Sequence, residues 1–185
     1  MLDKHKEKNF EEEIVAYLVS QGWLEGDASE YDRELALYPS DLIGWIQDTQ
    51  SKEWAKVVSW HEANAGQALC ERAAKLMDEQ GSLSLLRHGF KDKNARFQLC
   101  QFKPSHGFNP EIADRHAKVR CRIVRQVRYS TGNENSIDLV LFINGIRWRP
   151  SNSRPISPSP FTMPSANTAL TACPRMPRPR RPSRY

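Results

Sequence analysis

Apolar and polar positions alternate most clearly late in the chain. Alternation over residues 119–129 predicts a strand, and a Gly/Asn-rich connection over 130–136 follows it, as expected of a hairpin. The nearly continuous apolar run 137–143 predicts a second strand that is buried on both faces. Asn144-Gly145 then predicts another turn.

Helical spacing dominates the chain before this hairpin. It predicts helices over 10–21, 39–46, 51–76 and 111–118, the second capped by Ser40 and the third divided at Gly66. A weaker apolar pattern predicts one more strand over 95–102. Four of the five tryptophans precede His61, and we expect them in a packed helical layer. The predicted fold class is α/β (α+β), with helices packed around a small mixed β-sheet.

The first predicted helix carries an acidic cluster. Phe10, Ile14, Tyr17 and Leu18 are expected on its buried face. Glu11, Glu12 and Glu13 lie near its predicted start, where the helix dipole favours anions. The cluster is either a solvated first turn or contains one carboxylate that lies beside an active-site metal.

Composition divides the chain after Ile146. Residues 147–185 hold nine of the 12 prolines and eight arginines, but no lysine, glycine, aspartate or glutamate. Residues 1–146 are left with 19 basic and 22 acidic side chains, a formal charge of −3, although the whole chain has +5. The basic character therefore belongs to the tail, which we expect to be disordered because it has little apolar pattern.

Several classes of protein find no support in the sequence. The cysteines form no CxxC pair, and no GxxxxGK loop is present. The charged N-terminus has no apolar signal core, and no apolar run has membrane-spanning length. These features predict a soluble, reduced, cytoplasmic protein that does not bind membranes.

Asp138 is the one charged residue within the predicted strand 137–143. A carboxylate among buried apolar neighbours must be hydrogen-bonded, paired with a charge or bound to a metal. The residues alone leave a structural role and metal binding open.

Residues 10–146 resemble the N-terminal nuclease domain of the restriction (R) subunit of type I restriction–modification enzymes. The longest matching stretch runs from Arg125-Gln126-Val127-Arg128-Tyr129-Ser130 into Asn135-Ser136-Ile137-Asp138-Leu139-Val140-Leu141-Phe142-Ile143-Asn144-Gly145. Shorter ones are Tyr31-Asp32-Arg33-Glu34-Leu35-Ala36-Leu37, Thr49-Gln50 followed by Trp54, Leu86-Arg87-His88-Gly89-Phe90 and Phe102-Lys103-Pro104.

The resemblance implies a restriction-endonuclease-like fold of the PD-(D/E)xK type. In such domains an aspartate on one strand and a Glu-x-Lys motif on the next hold Mg²⁺ and activate water. Asp138 matches the first carboxylate, so it is the implied catalytic and metal-binding residue, and one of Glu11 to Glu13 is a candidate assistant. Double-stranded DNA is the implied substrate, and modification and specificity subunits are the implied partners. ATP would serve only translocase domains that this chain lacks.

The second half of the motif is absent, because no Glu or Lys follows Ile146. We hypothesise a frameshift there. If one base were lost after codon 146, allowed codons for residues 147–154 restore Pro-Val-Ala-Thr-Leu-Glu-Leu-Lys. The sequence therefore predicts a partial nuclease domain over 1–146 and an out-of-frame tail over 147–185. The alternative for the tail is a natural Arg/Pro segment that binds DNA phosphates or an SH3-like partner.

Three functional hypotheses follow. The first is an incomplete type I site-specific deoxyribonuclease that is inactive by itself. The second is a non-catalytic module that binds DNA or the other restriction subunits. The third is a misfolded remnant, because loss of the strand after Ile146 would expose the sheet to aggregation.

Overall fold

The computed structural model describes residues 2–105, 108–129 and 134–148, and the side chains from residue 9 onward. This part of the chain is mixed α/β, with helices around small sheets, as the pattern predicts. The tail expected to be disordered lies outside the described residues, apart from Arg147 and Trp148.

Six α-helices and six strands form the described fold. The helices are α1 (Leu2–Ser20), α2 (Pro39–Thr49), α3 (Ser51–His61), α4 (Ala65–Gln80), α5 (Ser82–His88) and α6 (Pro110–Ala117). The strands are β1 (Leu24–Gly26), β2 (Phe90–Asp92), β3 (Ala95–Phe97), β4 (Cys121–Arg128), β5 (Ser136–Ile143) and β6 (Ile146–Arg147).

The larger sheet has the order β1-β4-β5-β6. β1 runs parallel to β4, whereas β4, β5 and β6 are successively antiparallel. The predicted hairpin is therefore confirmed. The predicted strand over 95–102 is only three residues long and pairs with β2 in a separate two-stranded sheet.

The first helix differs from its prediction in extent and orientation. It begins at Leu2, so the three glutamates lie in its interior and the prediction of a first-turn cluster was wrong. Ile14 and Leu18 are partly buried and pack against the core as predicted, and Val15 is buried at 2% exposure. Phe10 and Tyr17 are instead about three-fifths exposed, at 62% and 60%. The buried face of a helix depends on the surface against which it packs, and in α1 that face includes Val15.

Two helix boundaries also differ from the sequence prediction. Tyr38, not Ser40, is the N-cap of α2, because Pro39 occupies the first helical position, which suits proline. The long predicted helix is divided at Glu62, whose φ of 47° ends α3, and not at Gly66. Gly66 continues inside α4.

The turn between β5 and β6 is anchored to the helical layer. Asn144 and Gly145 both have positive φ, 48° and 80°, which a tight two-residue hairpin turn favours. The Asn144 side chain accepts a hydrogen bond from the Arg120 N–H at 2.7 Å and donates one to the Leu99 carbonyl at 2.9 Å. The Gly145 carbonyl accepts one from the Tyr38 N–H at 2.9 Å, at the start of α2.

The larger sheet is covered on both faces, as the apolar run of β5 predicts. On one face its residues join the main helical core, which includes Trp45 and Trp23 and is flanked by the partly buried Trp54 and Trp60. On the other face lies a smaller cluster of Tyr31, Tyr38, Val124, Val127, Val140 and Phe142. None of the helices in the described ranges is both long and apolar enough to cross a bilayer.

Candidate functional site

Asp138 lies near the beginning of β5, and its side chain is exposed. The prediction that this carboxylate is buried was wrong. The buried part of β5 begins at Leu139, one residue later, so Asp138 lies at the solvated end of the strand. Asp138 therefore needs no buried partner to compensate for desolvation.

Gln126 faces Asp138 across the hairpin. The register pairs Arg125 with Leu139 and Val127 with Ile137, which leaves Gln126 and Asp138 opposite each other. The Gln126 amide donates a hydrogen bond to Asp138 Oδ1 at 3.2 Å. Its carbonyl oxygen accepts one from the Ser136 hydroxyl at 2.9 Å. One oxygen of the carboxylate is thus held by β4.

The backbone of Gln126 is left-handed, with φ of 51° in the middle of β4. For a residue other than glycine this conformation costs about 1 kcal/mol or more. Val124 and Val127 both belong to the small apolar cluster although they are three residues apart. The regular alternation of side chains between the two faces of β4 is therefore interrupted near Gln126. The bend brings the Gln126 amide to the exposed carboxylate.

Exposed charges surround this end of the hairpin. Glu134 lies 2.6 Å from Arg128 and 3.9 Å from Arg33. Arg125 forms a further ion pair, at 3.1 Å, with Glu25 on β1. Surface pairs of this kind contribute less than about 1 kcal/mol each.

The metal-ligating side chains of the described residues do not form a Mg²⁺ site. Mg²⁺ requires oxygen ligands in near-octahedral geometry. The described residues contain no group of three or more His, Cys, Asp or Glu side chains able to hold a metal. Asp138 and the cluster of Glu11, Glu12 and Glu13 therefore do not assemble one. Mg²⁺ binding therefore stays a prediction.

A second polar site, which the sequence did not indicate, joins α2 to β4. Arg122 binds Asp41 through two bonds, Nε to Oδ2 at 2.6 Å and Nη2 to Oδ1 at 2.9 Å. Asp41 is buried, and the Arg122 guanidinium lies 4.7 Å from the ring centroid of Tyr38. The Asp41 carboxylate raises the pKa of Arg122. Eighty-one residues separate the partners, so no local pattern could have revealed the pair.

Three buried acids predict a loss of stability at alkaline pH. Burial raises the pKa of Tyr38, Cys70 and Cys100 to about 12 in each case. The unfolded chain releases these protons at lower pH, so its free energy falls relative to the folded state as pH rises from about 9 to 12. For Tyr38 alone the expected loss is about 2 kcal/mol between pH 10 and 12.

Urea denaturation at intervals from pH 8 to 12 measures this loss. Tyr38→Phe removes the phenol but keeps the ring, so its stability should decline less steeply than that of the natural chain above pH 10. Equal slopes for the two proteins would show that Tyr38 does not contribute.

Comparisons of the chain with family models, with curated proteins and with solved structures found no match.

Proposed function

We propose that this chain is an incomplete endonuclease domain of the type I restriction R-subunit kind, inactive by itself. The observation that carries the proposal is Asp138, an exposed carboxylate on the middle strand of an antiparallel β4-β5-β6 unit. It lies on the strand that precedes the hairpin turn, where PD-(D/E)xK domains carry their first carboxylate. The resemblance over residues 10–146 supports the same assignment.

The proposed inactivity rests on the missing partners. β6 ends at Arg147, and neither Glu nor Lys follows it in the sequence. One carboxylate cannot supply the oxygen ligands that a nuclease metal needs, nor the general base and charge stabilisation of hydrolysis. In the complete enzyme, double-stranded DNA would be the substrate and Mg²⁺ the cofactor.

A plasmid-nicking assay tests this proposal. The purified chain with Mg²⁺ and supercoiled plasmid should nick DNA no faster than the Asp138→Ala variant does. A circular dichroism spectrum controls for folding of both proteins. Mg²⁺-dependent nicking that Asp138→Ala abolishes would contradict the proposed inactivity.

A second candidate function is a docking module for the modification and specificity subunits. The exposed apolar side chains of α1 favour it, because Phe10 and Tyr17, 62% and 60% exposed, lie two turns apart on the same side of the helix. Isolated apolar residues are common on surfaces, but two large apolar side chains on one helix face are a typical protein-binding feature.

Paired serine substitutions test the docking candidate. Phe10→Ser with Tyr17→Ser should change the free energy of unfolding by less than about 1 kcal/mol, because both side chains are exposed. If α1 docks the subunits, the same change should weaken their co-purification at least tenfold. Unchanged co-purification would exclude this helix as the docking surface.

A further inference from the structure

One backbone edge of β5 is only partly paired in the described structure. β5 has eight residues, whereas β6 has two, which pair with Phe142 and Ile143. The Trp148 N–H extends this ladder by one bond, to the Leu141 carbonyl at 2.8 Å. Among the described residues nothing pairs with this side of residues 136–140, which we call the β5 edge.

The backbone groups of Leu139 and Ile137 point outward at the β5 edge. Backbone groups of alternate residues point to opposite sides of a strand, and Ile143 and Leu141 bond toward β6. The N–H and C=O of Leu139 therefore point to the same side of β5 as β6 does, and so do those of Ile137. The Leu139 side chain is buried in the core, at 8% exposure, so this edge cannot move away from the fold.

The chain that follows β6 is poorly suited to complete the ladder. The register sets residue 146 opposite 143 and 147 opposite 142, and its continuation would set Pro150 opposite Leu139. Proline has no N–H, so it cannot donate to the Leu139 carbonyl. At the end of this described segment, Arg147 Nε and Trp148 Nε1 are buried without a hydrogen-bond partner among the described residues.

We propose that the β5 edge accepts an extended, antiparallel strand from a partner polypeptide. The edge sets the chemistry of that strand. It must have N–H groups opposite Leu139 and Ile137, and apolar β-branched side chains there match the buried Leu139 and the partly buried Ile137. A basic side chain opposite the exposed carboxylate of Asp138 gives a favourable cross-strand pair. Strand addition is independent of nuclease activity, because it uses the backbone of β5.

A short peptide serves as the probe for this edge. Acetyl-Thr-Val-Lys-Val-Thr-amide would set its valines opposite Leu139 and Ile137 and its lysine opposite Asp138. Titration into the ¹⁵N-labelled full chain should shift the backbone amide signals of Leu139 and Ile137 saturably. The expected Kd is about 1 mM, because only a few backbone bonds are added.

N-methylated peptides separate strand addition from nonspecific binding. Methylation of both valine nitrogens blocks the bonds to β5 and should weaken binding at least tenfold. Methylation of the lysine nitrogen, which faces away from β5, should leave binding within twofold. Asp138→Asn should weaken binding of the lysine peptide about threefold and leave a peptide with threonine in place of lysine unaffected.

Three results would overturn the proposal. The first is no shift at Leu139 with any of these peptides at several times the expected Kd. The second is equal binding of the valine-methylated peptide. The third is a Leu139 amide already protected from hydrogen exchange in a chain that sediments as a dimer, which would make a second copy the occupant.

Discussion

Gly145→Ala should destabilise the protein by about 3 to 5 kcal/mol, a large part of the total for a domain of this size. Gly145 has φ of 80°, where a side chain is strained. A Cβ atom there would also collide with the Tyr38 carbonyl oxygen and lie 2.8 Å from the Leu42 nitrogen. Both are backbone atoms at the start of α2, so neither can move without shifting the helix.

Gly66→Ala is the matched control for this prediction. It adds the same methyl group inside a helix, where the nearest atom is the flexible end of the Ile43 side chain, at 2.9 Å. Alanine favours the helix by about 1 kcal/mol over glycine, which offsets the crowding. Urea denaturation should therefore show a large loss for Gly145→Ala and a change within about 1 kcal/mol for Gly66→Ala. Equal effects would mean that α2 does not constrain the turn.

Asp41→Ala should cost about 3 to 4 kcal/mol, because it leaves the Arg122 guanidinium without its buried carboxylate. The side chains of Asp41 and Arg122 are 3% and 16% exposed, so water can restore little of the lost interaction. Arg120, whose Nη1 lies 3.9 Å from Asp41 Oδ1, would lose a second, weaker attraction. The pair fixes α2 against β4.

Asp48→Ala is the control for the buried pair. Asp48 binds Arg120 at 2.7 Å, but its side chain is 48% exposed, so its removal should cost less than about 1 kcal/mol. The double change Asp41→Leu with Arg122→Met should recover much of the loss, because apolar residues often replace buried ion pairs at little cost. A loss for Asp41→Ala no larger than that for Asp48→Ala would contradict this account.

The hairpin could be predicted from the sequence because its signals are local. Alternation over β4, the apolar run of β5 and the pair Asn144-Gly145 each determine backbone geometry within a few residues. The role of the Asn144 side chain, which binds Arg120 and Leu99, depends on distant segments and left no such signal.

The parallel strand β1 could not be predicted. It has three residues, Leu24–Gly26, and its pairing with β4 spans almost a hundred positions. The buried face of α1 was predicted correctly for Ile14 and Leu18 but not for Phe10 and Tyr17, for a related reason. Phe10 and Tyr17 have suitable helical spacing, but the tertiary surface buries Val15 in their place.

The candidate site was only partly predictable. Asp138 could be identified from the sequence as the one charged residue of its predicted strand. Its exposure could not, because it depends on where the sheet ends. The hydrogen bond from Gln126 could not be foreseen, because it depends on a left-handed residue within β4. No glycine or asparagine marks that position.

Metal binding by a repaired chain shows whether Asp138 belongs to an interrupted nuclease site. The repaired chain carries Pro-Val-Ala-Thr-Leu-Glu-Leu-Lys in place of residues 147–154, and Mn²⁺ serves as a spectroscopic substitute for Mg²⁺. We expect the repaired chain to bind Mn²⁺ at least about tenfold more tightly than the natural chain, and Asp138→Asn to remove that gain. Equal Mn²⁺ affinity of the natural and repaired chains, or a gain that survives Asp138→Asn, would contradict the account of a nuclease site interrupted after β5.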